Sequence, residues 1–124
     1  ANQAVAAARL AVDRQCRFAC HFGTDLHTPM LEQALLADGV DISACSRCEG
    51  VPSGHGYVLL EPDGAVASIV VGGANADWTE QQAAELAEVV RSASIVLLQR
   101  EVPEIVNEVI AAAAFEAGVP GMLG

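Results

Sequence analysis

Positive charge and aromatic side chains are both scarce in this sequence of 124 residues. Six basic residues stand against sixteen acidic ones, which gives a formal net charge of −10, and a chain this acidic repels a phosphate backbone. Nucleic acid is therefore not an expected partner. Aromatic residues make up only 4% of a chain that is 52% hydrophobic, so the core has to be built from Ala, Val, Leu and Ile, as in α/β layers.

The sequence also lacks a long uninterrupted hydrophobic run. The first apolar stretch, residues 4–12, is short and contains Arg9, so it predicts neither a membrane span nor a signal peptide. We expect a cytoplasmic protein with no membrane partner. A chloroplast or another organelle is the alternative, because a cleaved transit peptide leaves no trace in a mature chain.

Cysteine occurs four times, which is too few and too uneven for the disulfide framework of a small secreted domain. Cys45 and Cys48 have the spacing of half a zinc knuckle, and Cys16 and Cys20 could supply the other ligands. One Cys-x-x-Cys beside one Cys-x-x-x-Cys is a weak signal. We therefore expect ordinary or redox-labile thiols and no metal, with a thiol-based metal domain as the alternative.

The hydrophobic pattern changes period several times along the chain. It predicts helices at 1–10, 26–37, 79–91 and 104–117, strands at 16–20, 94–98 and 119–123, and a β-hairpin of 57–60 and 68–71 around the turn 61–64. Thr79 and Gln82 have the spacing of a capping box. Gly39 is placed to end a helix in the left-handed conformation. The strand at 94–98 is predicted to be buried, and the alternation of elements predicts a parallel sheet with helices on its faces.

Six sequence blocks follow one another in an order known from one family. Residues 1–10, ANQAVAAARL, resemble the helix after the Gly-Gly-Lys-Gly turn of ribokinases. The other five resemble Gly-x-Asp, Gly-Val-Asp, Thr-Gly, Gly-Ala-Asn-Ala and Leu-Gln-x-Glu-Ile-Pro, and they lie at 22–25, 39–41, 53–54, 73–76 and 98–103. Together they make the chain resemble the sugar-binding half of a PfkB carbohydrate kinase of the ribokinase type.

That resemblance implies an α/β fold of the Rossmann-like ribokinase kind, with residues 1–124 as one partial domain and about 43–73 as a lid insertion. It implies ATP- and Mg²⁺-dependent phosphorylation of the primary hydroxyl of a pentose such as ribose. It also implies that the lid hairpin can form a homodimer contact. The residues that it assigns to the lid are Ser53, Gly54, His55, Gly73, Ala74 and Asn75.

Asn2 and Glu101 are the sugar-binding residues that the resemblance implies. A carboxylate accepts hydrogen bonds from two hydroxyls and an amide both donates and accepts, so one of each can orient a polyol. Glu101 would also follow a parallel strand, where open α/β sheets usually bind ligands. The alternatives are an exposed polar residue on a frayed helix for Asn2 and a helix-start acid for Glu101.

The family's remaining blocks fall outside these 124 residues. By resemblance, the Gly-Gly-Lys-Gly turn precedes Ala1, and the general base and anion hole lie beyond Gly124, so no catalytic residue is assigned. We therefore expect the isolated chain to be inactive and not to bind ATP and Mg²⁺ productively, since phosphoryl transfer depends on positioning and charge stabilisation. A non-catalytic sugar-binding or lid-mediated interaction module is the alternative.

Four further residues have features that predict a structural role. We expect Trp78 to staple the start of its helix or to cover the base of the lid. Gly72 and Gly73 are expected to form the hinge where the lid returns to the sheet, because they lack the frame of a phosphate loop. His55 lies between two glycines, as at a lid tip that can touch substrate, with an ordinary surface or core histidine as the alternative.

Overall fold

The computed structural model describes residues 1–11 and 13–124 and consists of short strands with helices packed against them. The helices are α1 (Asn2–Leu10), α2 (Thr28–Ala37), α3 (Glu80–Glu85), α4 (Ala87–Arg91) and α5 (Glu104–Glu116). The strands are β1 (Cys16–Arg17), β2 (His21–Phe22), β3 (Val40–Asp41), β4 (Ser46–Arg47), β5 (His55–Leu60), β6 (Val66–Val71), β7 (Val96–Leu98) and β8 (Gly121–Leu123). Across the described ranges, every helix is too short or too polar to cross a membrane.

The predicted parallel pairing is present, but the predicted continuous strand at 16–20 is wrong. β1 pairs in parallel with β3, and β2 pairs in parallel with β4. Three residues lie between Arg17 and His21, whereas four lie between their partners Asp41 and Ser46. The extra residue interrupts the ladder in the manner of a bulge and divides one expected strand into two.

The predicted hairpin is confirmed and is longer than expected. β5 and β6 form an antiparallel pair of six residues each, from His55 opposite Val71 to Leu60 opposite Val66. Gly64 has a φ of 88° in the connecting turn, a conformation that favours glycine. The large apolar side chains of both strands are exposed on both faces of the ribbon.

Two predictions about the second half of the chain need correction. The helix predicted at 79–91 divides at Leu86 into α3 and α4, although its capping box at Thr79 and Gln82 is confirmed. The strand predicted at 94–98 is shorter, and it is not buried: Leu97 is 47% exposed. Side chains alternate between the two faces of a strand. Only the face of β7 that carries Val96 and Leu98 packs against the core formed by α3, α4 and α5.

The helices bury two small cores, one against strands β1 to β3 and one against β7. The first lies under α1 and α2, and its buried members are Ala4, Phe22, Leu35 and Val40. The second joins α3, α4 and α5, and its buried members are Ala83, Val90, Val106, Ile110, Ala113 and Ala114. Both are built mainly from aliphatic residues, with Phe22 as the aromatic member of the first, as the composition predicted.

The ends of two helices follow the predicted glycine signals. The residue after α2, Asp38, leads into Gly39 with a φ of 76°, and the residue after α5 leads into Gly118 with a φ of 68°. α2 begins at Thr28, two residues later than predicted. The turn before it is closed by Asp25, whose carboxylate accepts hydrogen bonds from the backbone nitrogens of His27 and Thr28.

Candidate functional site: a groove beside the first helix and the hinge of a hairpin

α1 and the β7–β8 pair flank a groove of about 330 Å³. The face of α1 that borders it carries Ala6 and Ala7 between Gln3 and Leu10. Gln3 lies on the helix side and Gln99 on the strand side. The side-chain nitrogens of both glutamines lie next to Gly124, since a Cβ placed on that glycine would be 2.5 Å from Gln99 Nε2 and 3.7 Å from Gln3 Nε2.

The two residues predicted to bind sugar neighbour those two glutamines. Asn2 precedes Gln3 at the start of α1, and Glu101 follows Gln99 by two residues in the turn between β7 and α5. Both Asn2 and Glu101 are exposed. Each of the two residues, 99 positions apart in the sequence, therefore lies within two positions of a glutamine that lines the same groove.

Asn107, which was not predicted from the sequence to have a role, fixes the turn that carries Glu101. It lies on the buried face of α5, and its Nδ2 donates a 2.9 Å hydrogen bond to the backbone oxygen of Gln99. Its Oδ1 is buried and has no hydrogen-bond partner among the described residues. The signal in the sequence is a polar residue within the apolar stripe that includes Val106 and Ile110, which requires a specific partner when buried.

The base of the hairpin is held by a network around Ser53. Its backbone nitrogen donates a 2.5 Å hydrogen bond to Asp25 Oδ2, and its hydroxyl accepts one of 3.2 Å from the Gly23 nitrogen. The Thr28 hydroxyl lies 3.2 Å from the same hydroxyl and donates to the Gly23 oxygen at 2.6 Å. Hydrogen bonds from backbone nitrogens, that of Ser53 foremost, lower the pKa of Asp25 to about 2. The carboxylate is therefore charged at neutral pH.

Close backbone contacts hold the segment that follows β6 against the segment that precedes β5. Gly73 has a φ of 51°, and a Cβ there would lie 2.5 Å from the Pro52 oxygen. The Ala74 nitrogen donates to that same oxygen at 2.9 Å, and the Ala74 side chain is fully buried. A Cβ on Gly54 would lie 2.6 Å from Asn75 Nδ2. All six predicted lid residues thus lie at the foot of the hairpin.

His55 was predicted at a lid tip, and that position is wrong. It is the first residue of β5, opposite Val71 at the base of the hairpin, whereas the far end is the turn after Leu60. Its ring contacts His27 edge to face, with centroids 5.6 Å apart, and lies 6.4 Å from the Tyr57 ring. The two glycines beside it give the backbone freedom near the hinge.

Trp78 packs on a buried histidine. The ring of His21 lies 3.6 Å from that of Trp78 at an interplanar angle of 9°, and His21 Nδ1 is 2.7 Å from the Asp77 oxygen. Trp78 also packs against the cluster that contains Ala83, the fourth residue of α3. It therefore occupies the position expected of a helix staple.

Neither a metal-ligand cluster nor a phosphate loop at the hairpin hinge is found in the part of the chain that the structure describes. In ranges 1–11 and 13–124, no three His, Cys, Asp or Glu side chains converge in the way that a metal ion requires. The backbone at Gly73 faces the carbonyl oxygens of Pro52 and Ser53, which repel phosphate, and the helix after it is a single 3₁₀ turn, Gly73–Ala76. No phosphate cradle is formed here.

Comparison with known proteins identifies relatives of the whole chain. Residues 1–124 match the pfkB family of carbohydrate kinases. A ribokinase from Arabidopsis thaliana is 40% identical over 126 residues, which cover 99% of this chain and 33% of the relative. A ribokinase from Bacillus subtilis is 36% identical over 105 residues, 84% of this chain and 34% of the relative. The chain thus spans about one third of the length of the curated relatives that it matches.

A solved structure gives the same result for the fold. The structure of Arabidopsis thaliana ribokinase complexed with ribose and ATP superimposes with a TM-score of 0.87 at 38% identity. The match covers 98% of this chain and 39% of that one. The α/β arrangement described above is therefore that of a ribokinase fold.

Proposed function

Because this chain belongs to the pfkB family of carbohydrate kinases, we propose that it forms the sugar-binding part of a kinase that phosphorylates the primary hydroxyl of a pentose, with ribose as the first candidate. ATP would supply the phosphoryl group and Mg²⁺ would neutralise its charge, both held outside the residues described here. We place the enzyme in the cytoplasm, with the chloroplast or another organelle as the alternative.

The observation that supports the proposal is that Asn2 and Glu101 lie close in sequence to two residues of one groove. Gln3 and Gln99 line the groove directly beside these two residues. A pentose in that position would offer its hydroxyls to the Glu101 carboxylate, which accepts two hydrogen bonds, and to the Asn2 amide. The Asn107 contact to Gln99 would keep the Glu101 turn in place and reduce the reorganisation needed on binding.

The hairpin β5–β6 is proposed to act as the lid over this sugar. Its foot is rigidly held by Asp25 and Ser53, whereas the ribbon itself has no core beneath it. Small rotations about Gly54 and Gly72 would move the whole ribbon as one body. Closure would remove water from the sugar, which favours transfer to the sugar hydroxyl over transfer to water.

The isolated chain is proposed to bind sugar without turning over ATP. Its described residues form no phosphate cradle and no metal site, and it matches only about a third of its curated relatives. Phosphoryl transfer needs both groups positioned in line. We therefore expect this chain to bind the sugar without catalysing phosphoryl transfer.

Calorimetric titration of the chain with ribose tests the site. We expect saturable binding, weakened roughly 10- to 100-fold by Glu101→Gln, because hydrogen bonds to a charged acceptor contribute about 1.5–3 kcal/mol. Asn2→Ala should also weaken binding. Glu116→Gln, at the exposed end of α5, is the matched control and should bind like the parent.

The outcomes separate the parts of the proposal. Equal affinity in the parent and Glu101→Gln would show that Glu101 is not part of the sugar site. ATP consumption by the isolated chain in the presence of ribose and Mg²⁺ would contradict the separation of binding from catalysis. Absence of ribose binding in the parent, with the fold intact by circular dichroism, would leave the second candidate below.

The second candidate is an interaction module that pairs through the hairpin. Val58, Leu60 and Val70 are among the large apolar side chains exposed on β5 and β6, and apolar surface of this kind typically marks an interface. Sedimentation equilibrium of the parent should then show a dimer. Val58→Lys with Val70→Lys should give a monomer, whereas Leu10→Lys, also exposed but on α1, should not.

A further inference from the structure

Two cysteine thiols lie opposite each other where the first parallel ladder resumes. Cys20 Sγ is 3.7 Å from Cys45 Sγ and donates a hydrogen bond to it, and the Cys45 thiol in turn is 3.1 Å from the Phe18 oxygen. Both side chains are half-buried at the edge of the core that contains Phe22. The contact joins residues 25 positions apart.

The backbone around Cys20 and Cys45 has the spacing that a disulfide between them requires. Cys20 immediately precedes β2 and Cys45 immediately precedes β4, one step before the register pair His21 and Ser46. The Ser46 nitrogen donates to the Cys20 oxygen at 3.0 Å. Neighbouring strands lie about 4.8 Å apart, within the range of about 4.4–6.8 Å that Cα atoms have across a disulfide. Side-chain rotation alone can bring the sulfurs together.

We propose that Cys20 and Cys45 are a redox modification site that forms a reversible intrachain disulfide. The sequence motif would pair Cys45 with Cys48, but the geometry does not. Cys48 is 9% exposed and its sulfur lies 3.4 Å from His21 Nδ1. The thiol of the fourth cysteine, Cys16, donates to the Ala4 oxygen. The proposal holds whether or not the chain binds a sugar.

The two thiols differ in reactivity. The hydrogen bond from Cys20 stabilises a thiolate at Cys45 and lowers the pKa of Cys45. The same hydrogen bond, together with burial, raises the pKa of Cys20. Since the thiolate is the nucleophile, Cys45 attacks first and Cys20 resolves the product.

Hydrogen peroxide is a sufficient oxidant for the reaction. The Cys45 thiolate attacks one peroxide oxygen, the O–O bond breaks, and the departing hydroxide takes a proton to become water, which leaves Cys45 as a sulfenic acid. The Cys20 sulfur then attacks the Cys45 sulfur. The S–O bond breaks as the S–S bond forms, and the hydroxide leaves with the Cys20 proton as a second water. Two thiols are oxidised and one peroxide is reduced, and a dithiol reductant reverses the change.

The crosslink would close a loop that contains α2 and tie the second half of the ladder together. In the chain-entropy account, a loop of this size gives a stabilisation that corresponds to a melting temperature higher by roughly 10 °C. A reductant should abolish the increase. The stabilisation would act on β2 and the turn that follows it, which holds the foot of the hairpin through Asp25.

Tryptic mapping after peroxide treatment tests the pairing, because arginines at 17 and 47 place Cys20 and Cys45 in one peptide. Cys16 falls in the peptide 15–17 and Cys48 in the peptide 48–91. After denaturation and alkylation, we expect the peptide 18–47 to take up no alkyl group and to have lost two hydrogen atoms. The other two peptides should each carry one alkyl group. A link between 18–47 and 48–91, or two alkyl groups on 18–47, would overturn the proposal.

Variants separate this pair from the other thiols. Cys16→Ser with Cys48→Ala should keep the peroxide-induced rise in melting temperature, and Cys20→Ser should lose it while remaining folded in reductant. If Cys20→Ser instead gains the same rise as the parent, the crosslink does not involve Cys20 and the proposal fails. The mapping of the parent gives the same decision without any variant.

Discussion

Asp25 holds Ser53 through a hydrogen bond of 2.5 Å between its carboxylate and the Ser53 backbone nitrogen. The two residues are 28 positions apart, and the bond joins the turn before α2 to the segment that enters the hairpin. The same carboxylate also accepts from the nitrogens of His27 and Thr28. One side chain thus fixes both a helix start and the foot of the hairpin.

Replacing Asp25 with Asn should loosen this foot. The amide nitrogen of Asn cannot accept from Ser53, so either the hairpin contact or the helix-start contact is lost. We expect faster amide hydrogen exchange at Ser53 and Gly54 and a lower midpoint of urea denaturation. Glu61→Gln, an exposed carboxylate-to-amide change in the hairpin turn, should alter neither. Unchanged exchange at Ser53 in Asp25→Asn would show that the carboxylate does not hold the hinge.

Acid should lower the stability of the fold by protonating the Asp25 carboxylate. The pKa of Asp25 is lowered to about 2 from the ordinary value of 3.8, so its stabilisation is fully present above the ordinary value and is lost as the pH falls through about 2. Asp41 behaves alike, with a pKa of about 2 held down by Ser43 and Arg17. Between pH 4 and 2, the denaturation midpoint should therefore depend less steeply on pH in Asp25→Asn than in the parent. A slope equal to the parent's would contradict this.

Three glycines should respond differently to alanine. Gly73→Ala places a methyl group 2.5 Å from the Pro52 oxygen at a φ of 51°, and we expect a loss of roughly 3 kcal/mol in the free energy of unfolding. Gly39→Ala meets no atom within 4 Å but keeps a φ of 76°, so about 1 kcal/mol is expected. Gly56→Ala has neither problem and serves as the control, with a gain of about 0.5 kcal/mol. Urea denaturation gives all three values, and an equal loss at Gly73 and Gly39 would contradict the contact.

Local signals in the sequence predicted local structure well. The capping box needs only Thr79 and Gln82, three positions apart, and the left-handed helix end needs only Gly39, so both could be read directly. The hairpin was encoded by its turn and by the short apolar runs on either side of it. The aliphatic character of both cores followed from a composition poor in aromatics.

The features that were missed depend on register. The break between Arg17 and His21 arises because the partner strand has one extra residue, which nothing within 16–20 reveals. The contacts of Asp25 with Ser53 and of Cys20 with Cys45 follow from that same register. His55 was misplaced because a histidine between glycines resembles a turn, whereas the turn is formed by 61–64.

Removing the N-cap of α3 tests a predicted element and should disturb the rest of the fold little. The Thr79 hydroxyl accepts from the Gln82 nitrogen at 3.2 Å, and Gln82 Oε1 accepts from the Thr79 nitrogen at 2.8 Å. Thr79→Ala should lower the free energy of unfolding by about 1 kcal/mol, while Thr79→Ser keeps the hydroxyl and most of the stability. Equal denaturation midpoints for the Ala and Ser variants would show that the capping bond contributes nothing.

Two adjacent leucines of α2 offer a matched test of the first core. Leu35 is 2% exposed and packs with Phe22 and Val40, whereas Leu36 is 56% exposed. Leu35→Ala should lower the free energy of unfolding by about 2–5 kcal/mol, because it removes buried methyl groups and leaves a cavity. Leu36→Ala makes the same change in helix propensity without that cavity and should stay within about 0.5 kcal/mol of the parent. Chemical denaturation of the two variants gives the difference, and equal losses would mean that α2 is not packed on the ladder by the face that carries Leu35.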